Sequence, residues 1–325
     1  MCQVFVLDNY LTNIAHVDTT IKKQSAALPE RELAKRRSRT QVRSQWQKPG
    51  TFVIKQLHNY SFGTVIPFVL LHVGCIAAFF LPFRWSWVEL MLAIYVVRMF
   101  GITAGYHRYF SHRSYKLARG WQFLMAFLAE TSGQKGVLWW AAHHRVHHRH
   151  ADQDPDIHSP LKRGFWWAHV GWVLSNEYDK YDPALIQDFG KYPELRWLDK
   201  HYMVPPIALA ALLLLGGGLG GFVWGFVIST VLLFHGTFTI NSVAHLWGSR
   251  RFDTADDSRN NFVLAIITLG EGWHNNHHKF MYACQQGLRW WEVDVTYYTL
   301  KMLNWLGIAR DLRVIQVPLS EGEAA

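Results

Sequence analysis

From 62 to 104 the chain runs FGTVIPFVLLHVGCIAAFFLPFRWSWVELMLAIYVVRMFGITA, and a stretch of that kind belongs in a lipid bilayer. Two apolar runs, about 62–83 and 87–104, are parted only by Arg84, Trp85 and Ser86. Each is near the roughly 20 residues that a helix needs to cross the hydrocarbon core. A helix also satisfies its own backbone polar groups, which lipid cannot do. The pair therefore predicts a transmembrane helical hairpin. A second pair follows at about 203–219 and 220–240, joined by the glycine-rich turn GGGLGG at 216–221. The remaining composition agrees: half of the 325 residues are hydrophobic and 15% are aromatic, rich for a soluble protein.

Charge orients these four spans. The short turns inside the hairpins carry only Arg84, whereas the N-terminal segment, the loop 105–200 and the C-terminal region are basic. By the positive-inside bias, both termini and that loop face the cytoplasm. Apolar stretches inside the loop (WQFLMAFLAE, VLWWAAHH, GFWWAHVGWVL) predict a folded helical cap rather than a linker. The expected organisation is a basic tail over 1–55, a membrane domain over 56–315 and a short tail over 316–325. The tail's 31–43 run, RELAKRRSRTQVR, holds six basic residues and suits anionic lipid heads. Net charge is +9, but no nucleic-acid recognition motif accompanies it, so no nucleic-acid partner is expected. Residues 1–20 show no basic start followed by an apolar core, so no secretory leader is expected. Cys2, Cys75 and Cys284 are far apart, which argues against both a disulfide framework and a thiolate metal site.

The chain's chemistry lies in its 18 histidines, which cluster. HRYFSH carries His107 and His112; HHRVHHRH runs from His143 to His150; NSVAH carries Asn241 and His245; GEGWHNNHH carries His274, His277 and His278. Residues at i, i+3 and i+4 share one helix face, so His274, His277 and His278 can converge on one point. The central cluster admits two such stripes, His144/His147/His148 and His143/His147/His150. The HxxHH pattern of the last cluster selects the first of these, and leaves His143 and His150 as supporting or surface residues. His107 and His112, five apart, can meet one site only where the helix ends, tightens or bulges. Asn241 lies one turn before His245 and is placed to hold a metal-bound water. Nine histidines exceed what one metal uses, and two metals with four or five ligands each would take them all. The motifs lack the carboxylates of a ferritin-like Glu-x-x-His site. Imidazole binds Zn, Cu, Fe and Ni alike, so the donors alone do not choose the metal. Asp152, Asp154, Asp156 and Glu271 stand next to the boxes as candidate partners for ring N–H groups. His16, His58, His72, His158, His169, His201 and His235 read as ordinary packed or surface histidines.

These boxes resemble the membrane fatty-acid desaturase family, and within it the acyl-CoA (stearoyl-type, delta-9) branch. That branch carries HxxxxH, HxxHH, NxxxH and HxxHH in this order. Here they read HRYFSH, HRVHH, NSVAH and HNNHH, flanked by GITAGYHR and GLRWWEVDVT. The resemblance covers about 60–312. It implies an all-α integral membrane fold, with four transmembrane helices in two hairpins under a cytoplasmic cap that holds a histidine-rich di-iron site. It implies that His107, His112, His144, His147, His148, His245, His274, His277 and His278 ligate two irons. The implied reaction is O2-dependent insertion of a cis double bond, at delta-9, into a saturated acyl chain. Trp139, Trp140 and Trp273 suit an apolar tunnel for that chain. Zinc binds such ligands more tightly than ferrous iron, so another metal can take iron's place on purification.

One pair of residues departs from the pattern. The animal acyl-CoA enzymes carry Arg-Asp directly before the central HxxHH, where this chain has Ala142 and His143. The acyl carrier thus stays open between CoA, a carrier protein and a lipid. No HPGG haem motif or ferredoxin-like cysteine set is present, so electrons come from a separate ferredoxin- or cytochrome-type donor and its reductase. A compact chain without a fused electron carrier or retention signal points to a bacterial cytoplasmic membrane. Two other readings share these residues: a hydroxylase on the same di-iron frame, and a non-enzymatic membrane metal carrier. A carrier should line its spans with ionisable residues, whereas here the spans hold only the isolated His72 and His235.

Overall fold

The computed structural model describes residues 60–315. The two expected tails, 1–55 and 316–325, lie outside the described residues. Three helical stretches are long and apolar enough to cross a membrane: Phe62–Phe80, Trp85–Ser111 and Val204–His245. The first consists of α1 (Phe62–Gly74) and a 3-10 extension, Cys75–Phe80. It buries none of its residues, and Phe62, Phe79 and Phe80 are each more than 80% exposed. So large an apolar surface is stable against lipid, not water.

The second stretch is α2 (Trp85–Phe100), which continues as a π-helix over Gly101–Ser111. Its far end is wholly buried. After it comes β1 (Lys116–Leu117), then α3 (Arg119–Glu130) and α4 (Val137–His150). Gly101 lets α3 come close: a Cβ there would lie 3.0 Å from the Ala129 backbone nitrogen. Two carboxylates anchor the start of α4. Glu130 accepts from the Val137 N–H at 2.9 Å, and one Asp199 oxygen accepts from Leu138 and Trp139 at 2.8 and 2.9 Å. They satisfy the amides that an α-helix leaves free at its N-terminus. Short helical turns lead on to α5 (Pro193–Lys200), which supplies Asp199.

The third stretch combines α6 (Val204–Gly220), a π-helix over Gly221–Ile228 and α7 (Ser229–Ser242). Gly218 breaks it with φ 58° and ψ −155°, a conformation open to glycine. A Cβ on Gly225 would lie 3.2 Å from a Leu213 methyl group. In a straight helix, positions twelve apart are about 18 Å distant, so the chain folds back at Gly218.

The C-terminal part adds α8 (Phe262–Ile267), α9 (His274–Lys279), α10 (Val295–Trp305) and β2 (Ala309–Arg310). β2 pairs antiparallel with β1, a small departure from an all-helical expectation. The main core contains Met99, Tyr106, Phe110, Ala126, Leu138, Leu198 and Leu300. It packs the end of α2 against α3, α4, α5 and α10. The ends of α2 and α7, the face of α4, and α9 thereby meet.

Candidate metal centre

Each histidine is aimed by a local feature of the backbone. The Tyr106–Ser111 turn is π rather than α: the His112 N–H donates to the His107 carbonyl at 3.2 Å, an i→i+5 bond. The wider turn puts residues five apart on one face, so the bulge expected there is a π-helix. His144, His147 and His148 share a face of α4. His245 sits on a 3-10 turn, Val243–His245, just beyond α7. α9 has only six residues, yet it presents His274, His277 and His278 inward together.

The nine predicted ligands converge as two groups. His107, His112, His144, His148 and His277 form one; His147, His245, His274 and His278 form the other. Within each group the donor nitrogens lie within 4.8 Å of one another. Adjacent Nε2 atoms are closer still: 3.0 Å for His107–His277, His112–His144, His277–His148 and His245–His274, and 3.1 Å for His278–His274. Two imidazoles bound at about 2.1 Å to one metal, at right angles, stand about 3 Å apart.

The protons favour the same conclusion. In His107, His147, His245 and His278, Nδ1 donates to a carboxylate: Glu271 at 2.5 Å, Asp156 at 3.0 Å, Asp152 at 2.9 Å and Asp256 at 2.9 Å. That fixes the tautomer and leaves the Nε2 lone pair pointing into the cluster. Lone pairs facing each other at 3 Å repel unless a cation lies between them. Burial, with repulsion from neighbouring rings, pushes His112, His144, His148, His274 and His277 well below the ordinary histidine range. They are therefore neutral, which is the metal-binding form. The donor set fits two divalent metal ions.

The carboxylates are held in their turn. Burial would raise Glu271, but His107 and Arg108 outweigh it and hold the carboxyl at about 2. Asp152 is likewise held at about 2 against burial, by His245 first. Buried Arg108 bridges Glu271 and Asp294 at 3.0 and 2.9 Å, and Gln286 donates to Glu271 at 2.9 Å. The two asparagines of HNNHH face away from the histidines. The Asn275 carbonyl accepts from the Arg251 and Phe252 amides, and Asn276 donates to Glu292 and to the Gln286 carbonyl. One short helix thus presents imidazoles on one side and ties down two loops with the other.

Of the four acids next to the boxes, Asp152, Asp156 and Glu271 are ring partners. Asp154 is not; it is exposed and pairs with Lys162. Sequence reasoning missed Asp256, which lies in the 251–260 loop beside Asp253 and Asp257, with nothing in the spacing to single it out. It also missed Arg108 and Gln286. His143 is buried and its Nδ1–H donates to the Trp139 carbonyl, 2.9 Å away, outside both groups. His158, expected to be ordinary packing, lies with its ring tilted 32° and centred 4.3 Å from that of His147, near Asp156.

Two cavities adjoin the cluster. One is lined by Met99, Ile102 and Ile240 beside His107, His147 and His274; the other by Trp139, Ile157, Trp172 and Phe238. Trp140, His144, Thr237 and Asn241 line both. Trp140 stacks on His144 at 4.9 Å. Trp273 lines neither cavity and packs against Trp291 instead.

A family model described as fatty acid desaturase matches residues 82–301. An sn-1 stearoyl-lipid 9-desaturase of Anabaena variabilis is 38% identical over 251 residues, covering 76% of this chain and 92% of its own length. An acyl-CoA 5-desaturase of Anemone leveillei is 40% identical over 248 residues, covering 75% and 77%. An sn-2 palmitoyl-lipid 9-desaturase of a Nostoc strain is 37% identical over 249 residues, covering 73% and 85%.

Proposed function

The chain belongs to the fatty acid desaturase family, a family of oxidoreductases, and on that premise we propose that it converts a saturated fatty-acyl chain to the cis-delta-9 monoenoic one, with O2 and two electrons from a separate donor. The observation that carries the proposal is the pair of imidazole groups at the junction of two apolar cavities. The nine histidines would hold the metals, five to one iron and four to the other. Two irons bound there would supply the O2 chemistry that breaks a methylene C–H bond, which no acid or base of the chain can attack.

The chain's own residues do the rest. Met99, Ile102 and Ile240 accept one part of the acyl chain, and Ile157, Trp172 and Phe238 accept another. Trp140 and His144, common to both cavities, set the carbons to be oxidised against the cluster. Apolar walls keep bulk water from the reacting carbons. Asn241, at the same junction, would hold a water on the bound metal by its amide. Three lipid 9-desaturases among the relatives support the delta-9 position, although others are named for delta-5 and delta-7. Ala142 and His143, in place of Arg-Asp, favour a lipid-linked substrate over CoA.

The same proposal sets the domain over 56–315, with four spans once Val204–His245 is divided at Gly218. The cluster lies at the cytoplasmic end of the spans, where an acidic, diffusible electron carrier meets a basic face. Gas chromatography–mass spectrometry of a host that makes no monounsaturates tests the reaction. Cells expressing the native chain should accumulate delta-9 monoenoic acids, and cells expressing His277→Ala should not. Hydroxy acids in their place would establish a hydroxylase. Absence of any product, with the chain inserted and an electron donor supplied, would refute acyl oxidation.

A further inference from the structure

Three histidines outside the nine form a line between the membrane-crossing helices. His72 on α1 places Nδ1 2.7 Å from the Phe68 carbonyl and Nε2 3.0 Å from Nε2 of His235 on α7. Nδ1 of His235 lies 3.0 Å from Nε2 of His169. Nδ1 of His169 lies 3.0 Å from the Ser242 hydroxyl, which donates to the Phe238 carbonyl at 2.9 Å. His235 uses its two nitrogens in opposite directions, so the rings stand in series. They do not converge on a point as metal ligands must.

The protons of this line do not balance. It contains five contacts, and each hydrogen bond needs one proton. Both ends are carbonyls, which only accept. Three neutral imidazoles bring one N–H each and Ser242 brings one O–H, which leaves one contact without a proton. Five close contacts are all satisfied only when one ring is an imidazolium. We propose that His72, His235, His169 and Ser242 form a proton-binding site, which takes up one excess proton between the spans and shares it along the line.

The groups facing this line are few. α1 contributes His72, α7 contributes His235 and Ser242, and the π turn Trp167–Gly171 contributes His169. Among the described residues, no carboxylate, lysine or arginine is hydrogen-bonded or ion-paired to any of the three rings. Burial lowers the proton affinity of His169; the unsatisfied contact opposes it, because it is made good only in the protonated line. Within the line protons are conserved: a ring that gains one at one nitrogen gives one up from the other to its neighbour, and the Phe68 and Phe238 carbonyls close the two ends, so the excess proton stays shared inside it.

Ser242→Ala is the discriminating variant. It deletes one O–H and two contacts, leaving three contacts for three neutral rings, so the demand for an extra proton disappears. We expect 15N-histidine NMR of the metal-loaded protein in nanodiscs to show these rings sharing one proton. They should titrate as a single step between about pH 8 and pH 5. That step should vanish in Ser242→Ala and in His235→Gln. Rings that stay neutral in the native protein, or a step that survives in Ser242→Ala, would overturn the proposal.

Discussion

Carboxylates are shared unevenly between the two imidazole groups, and that unevenness has consequences for metal binding. In the four-histidine group, His147, His245 and His278 each donate Nδ1–H to an aspartate. In the five-histidine group only His107 has such a partner, while Nδ1 of His148 and of His277 is buried without one. A carboxylate behind an imidazole makes it a stronger donor, and losing one costs about 10–100-fold in metal affinity. The four-histidine group should therefore hold its metal longer. Titration with a chelator, followed by metal analysis of the protein, should be biphasic, with one ion per chain lost first. Asp256→Asn should bring the two phases together; a single phase in the native protein would refute the inequivalence. Glu130 carries a second prediction. Burial raises its carboxyl to about 8, while one oxygen accepts from Val137 and the other has no partner. Below about pH 4.5 the folded and unfolded chains both carry the proton, and the stabilisation is complete. As pH rises toward about 8, the unfolded chain ionises while the folded one does not, so stability falls by up to a few kcal/mol. Thermal unfolding at pH values across that window should show this slope in the native protein and lose it in Glu130→Gln. A variant that keeps the slope would place its origin elsewhere.

Helices deliver the boxes, and here spacing in the sequence said much but not all. The i, i+3, i+4 stripes of α4 and α9 were legible because an ideal helix places those positions together. The choice of His144 over His143 also followed, since His143 turns toward Trp139. The box of His107 and His112 was legible only as a conflict with helical periodicity, because a π turn is set by tertiary packing rather than by local propensity. That packing is dominated by Gly101 and Gly105, which bring α3 against the π segment. A Cβ on Gly101 meets Ala129 backbone at 3.0 Å, and one on Gly105 meets the Met125 side chain at 3.1 Å. Methionine can move aside, whereas a helix backbone cannot do so locally. Gly101→Val should thus cost about 1–3 kcal/mol as an overpacked contact and shift the π turn off the cluster. Gly105→Ala should be milder. Unfolding temperature and metal content measured on both variants check the order; equal effects would show that α3 does not hold the π segment in place. Asp256 escaped detection for a related reason. It reaches His278 from a loop 22 residues away, and no periodicity connects a loop to a helix.

The hydropathy of the chain made the membrane-crossing stretches legible from sequence, with one difference of form. The third and fourth expected spans belong to one helical stretch, Val204–His245, interrupted at Gly218. Composition marks a glycine-rich turn, but whether helical hydrogen bonding stops there depends on the φ of a single residue. The position of the metal-binding groups relative to these stretches leads to a prediction about the whole molecule. His107 and His112 flank the end of Trp85–Ser111, and His245 closes Val204–His245. The link Leu81–Arg84 and the break at Gly218 stand at the opposite ends of the same stretches. If the clustered end faces the cytoplasm, Arg84 and Gly216 face away from it, and exposed Lys162 lies on the cytoplasmic side. Of the native cysteines among the described residues, Cys284 is buried and Cys75 is half-buried, so replacing both by Ala or Ser leaves a clean background. Cys2 is replaced as well. In sealed right-side-out vesicles, an impermeant maleimide should label Arg84→Cys and Gly216→Cys. Lys162→Cys should label only after the vesicles are opened. Labelling of Gly216→Cys on the same side as Lys162→Cys would mean that the chain turns back without crossing, and that the Val204–His245 hairpin is re-entrant. Labelling of Arg84→Cys with Lys162→Cys would do the same for the first hairpin. Only the expected pattern gives four crossings with both metal-binding groups on the side of Lys162.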